Sequence, residues 1–202
     1  MGGLIPTLMT SRRIIGLTGG IATGKTTVSR YLAERYHLPV LDADVYARAA
    51  VRPDSPILEA IAQRYGPDIL QPDGHLNRAK LGEIIFNNAA EKAWLEAQIH
   101  PYVRHRFAAA MQQLPPEQTV VHAIPLLFEA DLTGQVSEIW VVTCAEATQL
   151  KRLQQRDRLS RQQAQARIDS QMPLAAKAAR ADVVLANDGD LRSLYGQIDQ
   201  AL

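Results

Sequence analysis

The sequence predicts an α/β fold, a parallel sheet in a three-layer αβα arrangement interrupted by a helical insertion. Three observations predict it. A short apolar, β-branched run, Ile14–Thr18, leads through glycines into a helical pattern. A second apolar run, Pro39–Leu41, follows within about thirty residues, the spacing of a βαβ unit whose strands lie parallel. The α/β alternation then stops near residue 45 and resumes near residue 116.

In chain order, Ile14-Ile15-Gly16-Leu17-Thr18 reads as a buried strand by its length and branching. Thr26 to about Arg35 reads as a helix with Val28, Tyr31, Leu32 and Tyr36 toward one side. Pro39-Val40-Leu41 is a strand running into Asp42-Ala43-Asp44. Between Val45 and Pro116 helical stretches dominate, at Ser55–Arg64, Arg78–Phe86 and Ala90–Gln113, broken by Gly66-Pro67 and Gln71-Pro72-Asp73-Gly74 turns. Strands return at Thr119–Ile124 and Ile139–Thr143. Helices are expected over Glu146–Arg158 and over Ser160–Gln171, the latter with Ser160 as N-cap. Asp182–Leu185 is a last strand, closed by Asn187-Asp188-Gly189, and a C-terminal helix begins near Asp190. The organisation is a core over residues 13–44 and 116–202, an insertion over 45–115, and a disordered lead-in over 1–12.

Composition narrows the functional classes. At 202 residues the chain buries on the order of 70% of its unfolded surface and needs neither disulfides nor a structural metal. A net charge of +1 gives no strong uniform field, which speaks against a nucleic-acid partner. The single cysteine, Cys144, lies in an apolar run and reads as a buried thiol in a reducing compartment. No stretch approaches the ~20 apolar residues of a membrane span. The N-terminus lacks a charged region followed by a long apolar one, so no secretory signal is read and the expected location is cytoplasmic.

Gly19-Gly20-Ile21-Ala22-Thr23-Gly24-Lys25-Thr26 matches G-x-x-x-x-G-K-[ST] directly after a strand and before a helix. Glycines permit close backbone approach, and successive N–H groups with the helix N-terminus face phosphate oxygens. Gly20, Ala22, Thr23, Gly24, Lys25, Thr26 and Thr27 are therefore expected to hold ATP. Lys25 brings positive charge to the phosphates, and Thr26 offers its hydroxyl to Mg2+.

Asp42 and Asp44 stand at the carboxyl end of a parallel strand, where open α/β sheets build their sites. If the chain stays extended, alternate residues point to one side and both carboxylates face one way. The pair could hold Mg2+ through its waters, orient an acceptor hydroxyl or take its proton, or simply cap a turn. Arg152 and Arg156 fall four apart on one face of a basic helix with Lys151. Arg156 is the candidate to neutralise charge on a transferring phosphoryl group, with the helix as a lid; the other charges fit a solvated surface. No apolar strand ends in a Walker B aspartate and no Asn-Lys-x-Asp is present, which argues against motor ATPases and GTPases. A small-molecule kinase remains, with a non-catalytic ATP-binding regulator as the other class.

Taken in order, further segments resemble the dephospho-coenzyme A kinase family. They are Leu17–Val28, Asp42-Ala43-Asp44 with Arg48, His100-Pro101, Pro125–Glu129, Gln149–Arg152 with Arg156-Asp157, Gln171-Met172-Pro173 with Lys177, and Ala181–Val184 through Gly189. Together they span about residues 13 to 195. The resemblance implies a P-loop kinase that uses ATP to phosphorylate the ribose 3′-hydroxyl of dephospho-CoA, the last step of coenzyme A synthesis. It implies that residues 45–115 bind the acceptor and that residues 146–172 form the lid. By position it implies Asp44 as the catalytic carboxylate, Asp42 beside it, and Arg48, His100 and Glu129 near the acceptor. It places Arg156 as a lid arginine and Asn187 near the adenine. His100 followed by Pro101 could instead cap and end a helix. A monomer or a small homo-oligomer is compatible with all of this.

Overall fold

The computed structural model describes residues 12–86 and 88–202. The expectation of a disordered lead-in falls on residues 1–11, outside the described residues. Arg12 is ordered, donating to the Pro115 and Pro116 carbonyls at 2.8 and 3.1 Å. The chain divides into two compact units, one formed by residues 12–41 and 115–202, the other by Asp42–Leu114.

The first unit holds a five-stranded sheet: β1 (Ile14–Gly19), β2 (Val40–Asp42, whose last residue opens the second unit), β3 (Val120–Ala123), β4 (Glu138–Thr143) and β5 (Val183–Ala186), in the order β2-β3-β1-β4-β5. β1 lies parallel to both β3 and β4, with Leu17 opposite Ala123 on one side and Trp140 on the other; β4 and β5 are also parallel. The chain leaves β1 to one side for β2 and returns past it to β4. The loop after β1 therefore opens where the winding reverses, the place at which such sheets bind ligands. Ile15, Leu17, Val121, Trp140, Val142 and Leu185 pack beneath α1 (Lys25–Tyr36) and, near the C-terminus, a helix over Leu191–Ala201, through Val28, Leu32, Leu194 and Ile198. The α/β class with a parallel sheet is borne out.

The second unit is helical: α2 (Ala43–Ala50), α3 (Pro56–Tyr65), α4 (Arg78–Phe86) and α5 (Ala89–Gln112). Val51, Leu58, Ile61, Ile69, Leu76, Leu81 and Leu95 form its own core. Ser55 and Asn88 cap α3 and α5 as acceptors of first-turn N–H groups. The Glu91 carboxylate accepts two bonds from Arg64 and one from the Tyr65 hydroxyl, which push its pKa down to about 2. α2 was not among the helices expected.

Back in the first unit, α6 (Glu146–Asp157) and α7 (Arg161–Asp169) follow β4, and Ser160 closes a capping box with Gln163. A five-residue helix that the sequence did not suggest, α8 (Leu174–Ala178), packs on β4, and α9 (Leu191–Ala201) starts at its cap Asp190. Cys144 is buried, and burial raises its thiol pKa, as befits an inert side chain.

Candidate functional site

The loop between β1 and α1 is built by close approach. Gly24 has φ +103°, and a Cβ there would lie 2.1 Å from Nδ2 of Asn187. Only glycine meets both conditions. Gly24 is also the N-cap of α1 and supplies no side-chain cap, so the positive end of that helix is left to a ligand. Ala22, with φ 61°, takes the left-handed conformation beside it. Lys25 is half-buried and the Thr26 side chain is exposed. Thr23, by contrast, is fully buried, and its hydroxyl and N–H both donate to the Gly20 carbonyl. Its side chain shapes the loop.

Other elements of the first unit grip this loop. The buried Asn187 amide donates to the Thr23 carbonyl at 2.7 Å, and Arg152 of α6 donates to the Asn187 carbonyl at 2.9 Å and to that of Thr23 at 3.4 Å. Gln149 donates to the Ile21 carbonyl, while Gln171 accepts from the Ile21 N–H. Lys177 of α8 is wholly buried; its ammonium donates to the Gly19 and Pro125 carbonyls and pairs with Glu129 at 2.8 Å.

In the helical unit, the expectation that Asp42 and Asp44 share one side of an extended chain is corrected. The strand ends at Asp42, whose Oδ1 accepts from the N–H groups of Asp44 (2.8 Å) and Val45 (3.3 Å) and caps α2. An aspartate at a strand end is a strong N-cap, so the chain turns into a helix at once. Asp44 then sits in the first turn with Arg48 four residues on, the spacing of side chains on one helix face. Both line a cavity of about 340 Å³ together with Arg78, Leu81, Ile85 and Leu95. Its polar groups are one carboxylate and two guanidiniums, and its walls are aliphatic. That combination suits an anionic ligand with an apolar portion.

Comparison with known proteins decides the family. The dephospho-CoA kinase family model matches residues 13–193. The dephospho-CoA kinase of a Synechocystis species is 60% identical over 190 residues, 94% of each chain. The chain belongs to the dephospho-CoA kinase family. Among solved structures, a Thermus thermophilus protein superposes with a TM-score of 0.79 at 33% identity over 95% of this chain and 97% of its own. The dephospho-CoA kinase from Campylobacter jejuni gives 0.67 at 28% identity over 93% and 94%. As a member of this family the chain is a kinase, and the resemblance seen in its motifs is borne out.

Within the kinase, the remaining expected residues are placed as follows. His100 is exposed on α5, which continues through it to Gln112. The helix-ending alternative for His100-Pro101 is thus overturned: Pro101 removes one N–H, yet packing of α5 on α2 and α4 sustains the flanking turns. Arg48 is exposed at the cavity. Glu129 binds Lys177 and accepts from the Met172 N–H. Burial raises the Glu129 carboxyl, but those hydrogen bonds outweigh it and hold the pKa below the ordinary value. Arg156 makes a two-bond contact with Asp157, which also accepts from Arg167 of α7. The Arg156 guanidinium, with Arg167 behind it, holds the Asp157 carboxyl below its usual range.

Arg152, Gln149, Gln171, Lys177 and Arg78 went unassigned in the sequence. By its place on a basic helix Arg152 fits a solvated surface, whereas it reaches the loop. For Lys177 no periodicity announces burial, since its helix is five residues long. Among the described residues no helix is long and apolar enough to cross a membrane, and no three His, Cys, Asp or Glu side chains cluster as a metal site.

Proposed function

We propose that the chain transfers the γ-phosphoryl group of ATP to the ribose 3′-hydroxyl of dephospho-CoA, yielding ADP and coenzyme A. The observation that carries this is the loop Gly19–Thr26, held by side chains of its own unit at the uncapped N-terminus of α1. Backbone N–H groups from Gly20, Ala22, Gly24, Lys25 and Thr26 would surround the phosphates, with Lys25 neutralising the transferring group. The Thr27 N–H donates to the Gly24 carbonyl at 2.9 Å, so Thr27 would add its hydroxyl. Thr23 and Asn187 shape the loop from behind, Asn187 toward the adenine side. Mg2+ keeps several waters and takes few protein ligands, a fit to the exposed Thr26 hydroxyl. Asp42, one oxygen already engaged as a cap, would act on the ion through water. Bound there, the ion supplies charge neutralisation at the phosphates.

The acceptor would bind the helical unit, in the cavity that Asp44, Arg48 and Arg78 line. Arg48, Arg78 and His100 complement its phosphates, and Asp44 orients the 3′-hydroxyl and receives its proton. The new bond joins O3′ to the γ-phosphorus as the bond to the β–γ bridging oxygen breaks. Lid closure over α6–α7 brings Arg156 to the transferring group, exchanging Asp157 for phosphate, and Glu129 anchors the lid's far end near the acceptor. A cytoplasmic location and a monomeric or small homo-oligomeric state complete the proposal.

The test is ADP release with Mg-ATP and dephospho-CoA, set beside AMP, adenosine, shikimate and gluconate. Turnover with dephospho-CoA alone supports the proposal; turnover only with another acceptor overturns it. Asp44→Asn is expected to cut kcat by about 10²–10⁴, the range for a positioned acid–base group, with ATP affinity unchanged. A loss of only a few-fold would remove Asp44 from the chemistry.

A further inference from the structure

In the phosphate loop, the carbonyls of Gly19, Ile21 and Thr23 alternate along the chain, and each accepts a hydrogen bond from a side chain distant in sequence. Lys177 takes Gly19 at 3.3 Å, Gln149 takes Ile21 at 2.7 Å, and Asn187 takes Thr23 at 2.7 Å. All three donors are buried, Lys177 fully and Gln149 and Asn187 to within a few per cent of exposure. The Gly20 carbonyl is taken within the loop by Thr23. Ile21 is held on both sides, because its N–H, in the preceding peptide, donates to Oε1 of Gln171 at 2.8 Å. The amide orientations of both glutamines follow from chemistry, since a carbonyl can only accept and an N–H can only donate.

A trans peptide is planar, with its C=O and N–H on opposite sides. Holding the Ile21 carbonyl on one side therefore aims the Ala22 N–H to the other. If that peptide turned over, a carbonyl oxygen would face the phosphates in place of a donor. Ala22 already has the left-handed φ of 61°, a conformation that a non-glycine residue keeps only when its surroundings impose it. Gln149 holds the carbonyl of the peptide that leads into Ala22, and it stands so close behind Gly20 that a Cβ there would lie 2.7 Å from its Nε2.

We infer that Gln149 and Gln171 are positioning residues for ATP: they lock the two peptides that flank Ile21 so that the loop's N–H groups face the phosphates. This rests on the proposed nucleotide role of the loop and does not depend on the identity of the acceptor. Gln149 belongs to α6, and Gln171 follows α7 by two residues, so both helices of the expected lid reach the same residue, one through the peptide after Ile21 and the other through the peptide before it. The two grips are unequal. Peptide 20–21 keeps the Thr23 bonds to the Gly20 carbonyl when Gln171 is lost, whereas the Ile21 carbonyl has Gln149 as its side-chain donor.

The experiment uses the full chain with Gln149→Met and Gln171→Met, which keep side-chain length and remove the amide. Calorimetric titration with ATP alone is expected to show about tenfold weaker binding for Gln149→Met and about threefold for Gln171→Met, the scale of one lost hydrogen bond. KM for ATP rises in step, while KM for dephospho-CoA and kcat at saturating ATP change less than about twofold. In ¹H–¹⁵N spectra the Ala22 amide moves in Gln149→Met and the Ile21 amide in Gln171→Met. Unchanged ATP affinity in a folded Gln149→Met protein overturns the inference. So does an equal loss of both substrates accompanied only by a lower melting temperature. Should Gln149→Met not fold, Gln171→Met is judged on the same readouts, and unchanged ATP binding with an unmoved Ile21 amide is equally fatal. A wild-type chain that binds ATP but ignores dephospho-CoA would fail the proposed acceptor and leave this result standing.

Discussion

Replacing Lys177 by methionine keeps most of its volume and removes its charge. In the native protein the ammonium is wholly buried, with Glu129 at 2.8 Å and the Gly19 and Pro125 carbonyls at 3.3 and 3.4 Å. Removing one partner of a buried ion pair costs about 3–5 kcal/mol. The Glu129 side chain is 24% exposed and water recovers part of its solvation, which puts the expected loss at the lower end, about 3 kcal/mol. For a chain of this length that lowers the melting temperature by roughly 6–12 °C. Urea unfolding at several pH values is the assay, because the sign changes with pH. In the wild type the folded Glu129 pKa lies below its ordinary value of 4.5. Its contribution is therefore present above pH 4.5 and disappears as pH falls through the depressed value. Without Lys177, burial prevails and the carboxyl prefers its proton, so the charged form becomes a cost as pH rises. The gap between the proteins should be widest near neutrality and narrow in acid, and adding Glu129→Gln should recover part of the loss. A loss below about 1 kcal/mol, or a gap that stays constant into acid, would refute a functional ion pair at this position.

Three further outcomes are expected. Gly24→Ala places a methyl against the Asn187 amide at a backbone angle unsuited to alanine, so stability should fall by about 2–4 kcal/mol and ATP binding with it, by melting and calorimetry. Asp42→Ala should cost about 1 kcal/mol through loss of the α2 cap, whereas Asp42→Asn keeps the acceptor and the melting temperature; a drop in ATP turnover without a drop in melting temperature for Asp42→Asn would point to the metal instead. His122 on β3 is held neutral by burial, helped by Arg12, with a pKa of about 4. The unfolded chain takes up this proton near pH 6.5 and the folded one does not, so stability should decline as pH falls from 6.5 to 4. His122→Asn should flatten that limb of the urea-midpoint profile.

Much of the architecture is legible because it is written in local chemistry. Ile14–Thr18 and the glycines after it announce a strand entering a phosphate loop, and α4 lies at Arg78–Phe86 as its pattern indicates. Ser160 and Asp190 mark helix starts by their hydroxyl and carboxylate. Where local rules compete, the outcome was less visible. Asp42 could extend or cap, and capping prevailed; Pro101 could end a helix, and packing carried α5 through it.

By itself, then, the sequence determined the sheet-forming runs, the phosphate loop and the family, since these depend on residues within a few positions of one another. Tertiary structure alone decided what those residues touch. Lys177 finds Gly19 across 158 residues and Gln149 finds Ile21 across 128. Arg152 turns into the loop while Arg156, one turn away on the same helix, binds Asp157. Such contacts are set by strand order and by which helix faces which edge. A buried ammonium is stable only where that topology has gathered its acceptors, and no local pattern encodes their arrival.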